Sequence, residues 1–243
     1  MRSWRDPASP WGKQIRFDER EFEAMADELR FNAGGECFRP GHGIDIDRVM
    51  MRGIGTEPDF VDLPAGILGR TLFKENGDVR VEISRELCER AEVDVVARRR
   101  LRSTMAHECG HVACHPCLYI QDIESFSLFD DAELGPTKRR DPIMCRAESL
   151  GRRGYTGEWW EYQANQCMAS LLLPKALFSR AVRAAVGVKE VPSFEALMRM
   201  RAAEDLVRSL ADDFDVSLSM TVLRLEALGF VPRAHQGSLR FAE

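Results

Sequence analysis

The apolar residues in the first part of the chain recur with a helical period. In residues 18–32 they return every three or four positions, which predicts an amphipathic helix that ends at the glycine pair 34–35. Residues 44–51 show similar spacing and predict a second, shorter helix. Residues 1–17 contain Pro, Gly, Trp and Arg without any period, so we expect an irregular arm there.

The period then changes to the alternation that is typical of β-strands. Residues 67–73 and 79–84 are separated by a short polar segment that contains Asn-Gly at 76–77. Asn-Gly readily adopts the positive φ values of a tight turn between two strands. This region therefore predicts a β-hairpin with its apolar side chains on one face.

The second half of the chain has a mainly helical pattern. Apolar spacing predicts a long helix over 94–115, ended by Pro116, and another over 158–173, ended by Pro174. Residues 117–157 are charged and interrupted by Gly and Pro, and we expect a long irregular excursion, which is uncommon unless it is functional. Further helices are expected at 175–186, 193–213 and 217–228. Helices combined with a hairpin indicate the α+β fold class.

The composition is that of an ordinary globular protein. Of 243 residues, 44% are hydrophobic and 30% are charged, and the formal net charge of -5 argues against direct binding to nucleic acid. Residues 1–14 lack the apolar core of a signal peptide, and no run of about 18 apolar residues occurs, so we expect a cytoplasmic protein without membrane contact. The seven cysteines have no paired CxxC spacing, and we expect reduced thiols.

Three of the five histidines lie in one short segment, MAHECGHVACHP at 105–116. His107, Glu108 and His111 form the pattern HExxH on the predicted long helix. Residues four apart lie on one side of a helix, so both imidazoles can reach one metal ion. Neutral imidazoles suit zinc, and Glu108 can reach a metal-bound water as general base. Two structural histidines on a helix are the competing interpretation, although the pattern is rare by chance.

His115 continues the spacing of four but is a poor ligand for the same ion. Three ligands on one stripe would spread over two turns, about 12 Å of helix. We therefore place His115 at the helix end, either at the rim of the site or as a neutral residue that caps the helix.

Catalytic zinc needs a third protein ligand, and carboxylates downstream are the candidates. Six of them lie in the irregular excursion, where nothing predicts rigid placement: Asp122, Glu124, Asp130, Asp131, Glu133 and Asp141. Glu158 lies near the start of the next predicted helix, where a negative charge favours the helix dipole. Glu161 shares a face with apolar residues of that helix. A carboxylate on an inward face is costly unless it is paired or binds a metal, so we choose Glu161.

Asn165 lies one turn beyond Glu161 on the same face of the predicted helix. Its side-chain oxygen could accept a hydrogen bond from the outer N–H of His107 and so fix the orientation of that ring. A polar side chain that bonds only locally is the competing interpretation.

Two of these segments together resemble a known family. TMAHECGHVACH at 104–115 and EYQANQCMASLLLP at 161–174 are similar to the HELGH and ExEANxFAAxLLMP segments of the ImmA/IrrE family of zinc metallopeptidases. The resemblance covers roughly residues 40–180, and FDVSLSMTVLRLEALGF at 214–230 is similar to a C-terminal segment of the family. Cys109 stands where Leu is usual, and Cys167-Met168 replaces Phe-Ala, which affects packing rather than chemistry.

The resemblance implies a minimal thermolysin-like zincin domain with a small β-sheet and an HExxH helix, followed by a helical region. It divides the chain into an N-terminal arm and helix (1–40), a zinc metallopeptidase domain (41–180) and a C-terminal region similar to a helix-turn-helix (181–243). It also implies one zinc ion per chain, held by His107, His111 and Glu161, with Glu108 as the catalytic residue.

This chemistry predicts hydrolysis of a peptide bond. Zinc would polarise the scissile carbonyl and acidify water, and Glu108 would carry the proton to the leaving amine. We expect the substrate backbone to add to an exposed hairpin edge near Val79–Ser84. His115, Tyr119 and Tyr162 are alternative residues for stabilising the oxyanion. The resemblance implies that the substrate is a cytoplasmic regulator, often a helix-turn-helix repressor.

Two other functions fit the same residues. Residues 214–230 could form a helix-turn-helix that reads DNA beside a non-catalytic zinc, although Arg224 is the one cation on its second helix. The protein could also bind a partner through an intact zinc site without cutting it.

Overall fold

A computed structural model describes residues 1–35, 37–74, 77–119, 143–146, 158–186 and 203–231. These residues form helices and small β-sheets, which confirms the α+β fold class. The predicted helix 193–213 is described only from residue 203, and the six carboxylates of the excursion lie outside the described residues. Within the described parts, no helix has the length and apolar character needed to cross a membrane.

The described residues form eight strands and eight α-helices. The strands are β1 (Arg2–Arg5), β2 (Lys13–Arg16), β3 (Phe38–Arg39), β4 (Gly43–Ile44), β5 (Asp59–Val61), β6 (Ile67–Phe73), β7 (Val79–Ser84) and β8 (Ile143–Arg146). The helices are α1 (Glu19–Asn32), α2 (Ile46–Arg48), α3 (Arg85–Ala91), α4 (Val95–Cys114), α5 (Trp159–Leu172), α6 (Lys175–Val186), α7 (Ala203–Phe214) and α8 (Leu218–Ala227). A π-helical turn (Val49–Gly53) extends α2. The predicted helices α1, α2, α4, α5, α6 and α8 are confirmed, whereas the hydrophobic pattern does not predict α3 or β8.

The predicted hairpin forms the centre of a four-stranded sheet with the order β5-β7-β6-β8. β6 and β7 pair antiparallel from Gly69 opposite Ile83 to Phe73 opposite Val79. β5 pairs with β7 in parallel, and β8 pairs with β6 antiparallel. The expectation of an exposed edge at Val79–Ser84 is therefore wrong, because β7 has a strand on each side.

The N-terminal residues form a two-stranded ribbon, which corrects the expectation of an irregular arm. β1 and β2 pair antiparallel, with Ser3 opposite Ile15. Trp11, between the two strands, packs edge-on against Trp159 and Trp160, with ring centroids 5.6 and 4.9 Å apart. An isolated ribbon is marginally stable in water, so these long-range aromatic contacts support it. Periodicity in the sequence cannot report such contacts.

One hydrophobic core contains residues from most of the described chain. Ala26 of α1, Met105 of α4, Leu171 of α5, Phe214 of α7 and Leu225 of α8 all belong to it. The two helices that carry the predicted site, α4 and α5, pack against each other within this core. Burial of the shared apolar surface therefore sets their relative position.

Charged residues attach the first half of α4 to the connection between α7 and α8. Arg98 and Arg99 donate hydrogen bonds to the Asp215 carboxylate, and Arg102 donates to the Asp215 main-chain oxygen. Asp215 has a φ of 48°, the one positive φ at a non-glycine residue in the described chain. Burial alone would raise the pKa of Asp215, but the Arg98 hydrogen bond and the Arg102 charge, with Arg99, hold it below its usual value.

The C-terminal helix α8 packs into the core. Arg224 is 4% exposed, donates to the Leu173 carbonyl oxygen at 2.9 Å and pairs with Glu23. The one cation on the helix considered for DNA reading is therefore engaged inside the protein.

We expect Asp215→Asn to destabilise the protein by about 2 kcal/mol at pH 7, the usual scale for losing charge-assisted hydrogen bonds. Asparagine tolerates the positive φ, so the variant tests the charge and not the backbone. Because the folded pKa of Asp215 is depressed, its stabilisation is complete above the unfolded pKa and is lost as the pH falls through the folded pKa. Urea unfolding at pH 7 and pH 3 measures the difference, and an equal difference at both values would contradict the ion-pair assignment.

Candidate metal centre

α4 and α5 bring the three predicted ligands together. His107 and His111 lie one turn apart on α4, and Glu161 lies in the first turn of α5. One ligand atom from each side chain lies within 4.8 Å of the others, and all three residues are buried. Among the described residues, this is the one group of His, Cys, Asp and Glu side chains with such spacing. The group could hold a metal ion.

Asn165 orients the first imidazole. Its Oδ1 lies 3.3 Å from His107 Nδ1, and an amide oxygen can only accept a hydrogen bond. His107 Nδ1 therefore carries a proton and donates a hydrogen bond to Asn165 Oδ1. In the neutral ring, the lone pair is then on Nε2, the nitrogen that faces His111 and Glu161.

His115 and Gln163 orient the second imidazole. His111 Nδ1 lies 3.0 Å from His115 Nδ1, and His115 Nε2 lies 3.1 Å from Gln163 Oε1. His115 lies at the end of α4, as expected, and contacts His111, but with an exposure of 0% it is buried beside the ligand group and not at an open rim. Burial lowers the pKa of His115 well below its usual value, so the ring is neutral. Both ring nitrogens are engaged, which removes His115 from the candidates for stabilising an oxyanion.

The atoms that face each other inside the group are all hydrogen-bond acceptors. The two Nε2 atoms of His107 and His111 are 3.0 Å apart, and the Glu161 oxygens lie 3.2 and 3.3 Å from them. With a proton on Nδ1 of each neutral ring, no proton lies between these atoms, and neither Glu161 oxygen has a hydrogen-bond partner among the described residues. Buried acceptors without partners are costly, and a cation between them removes that cost. The residues therefore fit a metal ion.

The charges in the group favour a cation as well. Burial lowers the pKa of His111, whereas the Glu161 carboxylate outweighs burial and raises the pKa of His107. Burial alone would raise the pKa of Glu161, but positive charge on the two imidazoles holds it well below its usual range. Glu161 is therefore ionised and needs positive charge beside it, which a divalent cation would supply.

Glu108 is turned toward the sheet. The Thr71 hydroxyl on β6 donates to Glu108 Oε2, and Oε1 has no partner among the described residues. A Cβ at Gly69 would lie 2.7 Å from Oε1, so a larger residue there would displace the carboxyl group from this position. Burial raises the pKa of Glu108 to about 8, against the opposing effects of His107 and the Thr71 hydrogen bond. A cation nearby would lower this pKa and so favour the carboxylate.

A buried cysteine of β8 lies near the two carboxyl groups. Cys145 is opposite Gly69 in the β6–β8 pair, and opposite residues of an antiparallel pair project to the same face of the sheet. Burial first, and then the charges of Glu108 and Glu161, raise the pKa of the Cys145 thiol well above its usual value. Cys145 is therefore a neutral thiol in this environment and not a reactive thiolate.

Gly110 allows α4 to approach α5 closely. A Cβ at this position would lie 2.8 Å from the Ala164 carbonyl oxygen and 3.1 Å from Ala164 Cα. Both are main-chain atoms, so no side-chain rotation could relieve the contact. Since α4 carries the imidazoles and α5 carries Glu161, this glycine sets the distance between the ligands.

Three other candidates lie outside the ligand group. Glu158 directly precedes α5, and its carboxylate lies 3.9 Å from Arg146. Tyr162 is 40% exposed and lines a cavity of about 660 Å³ beside the N-terminal ribbon. Tyr119 stacks on Phe73 with ring centroids 4.4 Å apart.

Four residues of the site are absent from the sequence prediction: Gly69, Thr71, Cys145 and Gln163. None of them has metal-ligand spacing, and Thr71 is 37 residues away from its partner Glu108 in the sequence. Folding of the sheet against α4 brings Gly69, Thr71 and Cys145 to the site, and the packing of α5 against α4 brings Gln163. The one signal available in the sequence is the pair of small residues, Gly69 and Thr71, two positions apart in a strand β6 whose other residues are large.

No protein-family model matches this chain, and no curated protein matches it. The resemblance to the ImmA/IrrE family therefore depends on two short motifs and stays a prediction. The buried group of two imidazoles and one carboxylate is a separate observation that does not depend on the resemblance.

We expect Gly110→Ala to lower the Tm and to weaken metal binding. Alanine inside a helix is normally about 1 kcal/mol more favourable than glycine, but here the methyl group would collide with the main chain of α5. Circular dichroism measures the Tm, and competition with a chelator measures the metal affinity. Arg100→Ala, at an exposed position of α4, is the control and should change neither. A Gly110→Ala protein that is more stable and binds metal normally would contradict the assigned role.

Proposed function

We propose that this chain is a zinc-dependent metallo-endopeptidase with a thermolysin-like zincin domain. The observation that carries the proposal is the buried group of His107, His111 and Glu161 with a second buried carboxyl group, Glu108, directly beside it. Catalytic zinc typically has three protein ligands and one position open to water, whereas structural zinc has four protein ligands. The group matches the first arrangement.

The residues around the ligands would transfer a proton from the attacking water to the leaving amine. Bound zinc would supply Lewis acidity, which polarises a peptide carbonyl and acidifies water. Glu108 would take the proton from the attacking water and return it to the leaving amine. Its contacts suit this exchange, because the Thr71 hydroxyl holds Oε2 while Oε1 is without a partner among the described residues.

Glu108 also favours hydrolysis over other metal chemistry. Two imidazoles and one carboxylate bind ferrous iron in oxygenases as well as zinc in hydrolases. A buried carboxyl group next to the ligands serves a reaction in which a proton is moved from water to a leaving group. Metal analysis of the purified protein distinguishes zinc from iron.

The substrate we propose is a cytoplasmic regulatory protein, such as a helix-turn-helix repressor, as the family resemblance implies. A peptide that adds a strand to the sheet near the site would pair with β8, since β6 and β7 already have strands on both sides. The short β8, Ile143–Arg146, also carries Cys145, whose side chain is on the face of the sheet next to Glu108.

The DNA-reading alternative has little support from the described residues. Arg224 is buried against Glu23, and the chain carries a net charge of -5, which opposes contact with phosphates. Binding of a partner without cleavage uses the same metal group, so only an assay of turnover separates it from the peptidase.

We expect the purified protein to contain about one zinc ion per chain and to cleave its substrate in a reaction that a chelator stops. Glu108→Gln should retain zinc but lose cleavage, because the amide cannot accept the proton from water. Metal analysis measures the first result. Incubation with a repressor encoded beside the gene, with and without chelator, followed by mass spectrometry of the fragments, measures the second.

The control is Glu158→Gln, which changes a carboxylate near the start of α5 that is not a ligand and should leave zinc content and cleavage unchanged. Cleavage that persists in Glu108→Gln would reject the mechanism. Stoichiometric zinc without cleavage of any repressor or of a peptide library would support the partner-binding alternative instead.

We expect Thr71→Val to reduce kcat about tenfold, the equivalent of one hydrogen bond of ~1.4 kcal/mol. Valine has the shape of threonine but cannot donate to Glu108, so zinc content and KM should be unchanged. Kinetics on a peptide that contains the cleaved bond provide the measurement. Thr104→Val is the matched control, because the Thr104 hydroxyl donates only to its own helix at the Arg100 carbonyl oxygen. A kcat that Thr71→Val leaves unchanged would exclude this role.

A further inference from the structure

A chain of buried hydrogen bonds connects one predicted metal ligand to the N-terminal ribbon. His111 Nδ1 is 3.0 Å from His115 Nδ1, and His115 Nε2 is 3.1 Å from Gln163 Oε1. Gln163 Nε2 in turn donates to the Ile15 main-chain oxygen at 2.7 Å. The four residues are between 0 and 4% exposed, so water does not compete for these bonds.

The Ile15 carbonyl oxygen, at the end of this series of hydrogen bonds, determines which atom donates in each of them. A main-chain oxygen can only accept, so the amide nitrogen of Gln163 must face Ile15 and its oxygen must face His115. His115 Nε2 then carries the proton, which leaves Nδ1 of the neutral ring as an acceptor. His111 Nδ1 must therefore be the donor, and its lone pair is on Nε2, inside the ligand group.

We propose that His115 and Gln163 are positioning residues of the metal centre, and that the N-terminal ribbon, through the Ile15 carbonyl, selects the metal-binding tautomer of His111. The inference rests on the metal group of the proposed function but does not depend on peptidase activity. It makes residues 1–17 part of the site, although they lie far from the HExxH segment in the sequence.

Packing and hydrogen bonds hold the N-terminal ribbon, and with it the Ile15 carbonyl group, in a fixed position. Ile15 is 1% exposed, and Trp11 packs edge-on against Trp159 at the start of α5. Lys13 Nζ donates to the Cys117 carbonyl oxygen at 2.7 Å, in the turn that follows α4. The ribbon thus contacts α5 and the turn that directly follows α4.

The two imidazoles are oriented by separate means, which makes the inference testable. Asn165, on α5, holds His107 directly. His111 depends instead on His115, Gln163 and Ile15. A substitution at His115 or Gln163 should therefore affect the tautomer of His111 and leave that of His107 unaltered.

The first test replaces Gln163 with leucine, which has a similar size but neither donates nor accepts. His115 then loses the contact that selects its tautomer, and we expect zinc affinity to fall about 10- to 100-fold, as is usual for partners of metal-bound histidines. Chelator competition measures affinity for zinc alone, and long-range ¹H–¹⁵N NMR spectra of the imidazoles report the tautomers. Gln166→Leu, also on α5, is the matched control and should bind zinc normally.

A pair of variants at His115 provides the second test. His115→Phe keeps a flat ring but removes the acceptor for His111, and we expect the same loss of affinity. His115→Asn places an amide oxygen close to the position of Nδ1, so it should recover most of the affinity although it no longer reaches Gln163. If Gln163→Leu fails to fold, the comparison of the two His115 variants still tests whether His115 positions His111.

Equal zinc affinity in Gln163→Leu and Gln166→Leu, or equal losses in His115→Phe and His115→Asn, would overturn the inference. Weaker zinc binding with an unchanged His111 tautomer would also overturn it, since the effect would then be purely structural. Because none of these readouts involves cleavage, a failed peptidase assay leaves this test intact, and a failed test here leaves the peptidase proposal intact.

Discussion

The site is built around three buried hydrogen-bonding groups, two imidazoles and one carboxylate, whose facing atoms lie 3.0 to 3.3 Å apart. Neutral imidazoles and a carboxylate have no hydrogen between them where they meet, so a cation that joined them would stabilise their burial. The close packing of α4 and α5 at Gly110 brings them together. Binding of a metal ion by this group would therefore be coupled to the packing of the two helices, so that loss of one would weaken the other.

The remaining elements surround this pair of helices in a consistent way. β6 supplies Thr71 to Glu108 and leaves space at Gly69, while the N-terminal ribbon supports Gln163. Asp215 holds the first half of α4 through three arginines. Each contact lies outside the ligand group, yet each restricts how a ligand or the proposed base can move. The precision of a metal site depends on such outer contacts as much as on the ligands.

The chemistry we propose follows from the difference between two carboxyl groups in neighbouring positions. Glu161 faces two imidazoles, which depress its pKa, whereas burial raises the pKa of Glu108 to about 8. One group is suited to hold a cation and the other to exchange a proton. Their pKa values shift in opposite directions because α5 places Glu161 beside the imidazoles, whereas α4 turns Glu108 toward the sheet.

The local sequence determined the helices, the hairpin and the spacing of His107 and His111, because helical periodicity and Asn-Gly turn geometry act over a few residues. It also singled out Glu161, since an acidic residue on an apolar face needs a partner. Tertiary structure alone decided the burial of His115, the pairing of β8 and the contributions of Thr71, Gln163 and Ile15. These features depend on contacts between segments far apart in the chain, where side chains lack a fixed spacing that a pattern could reveal.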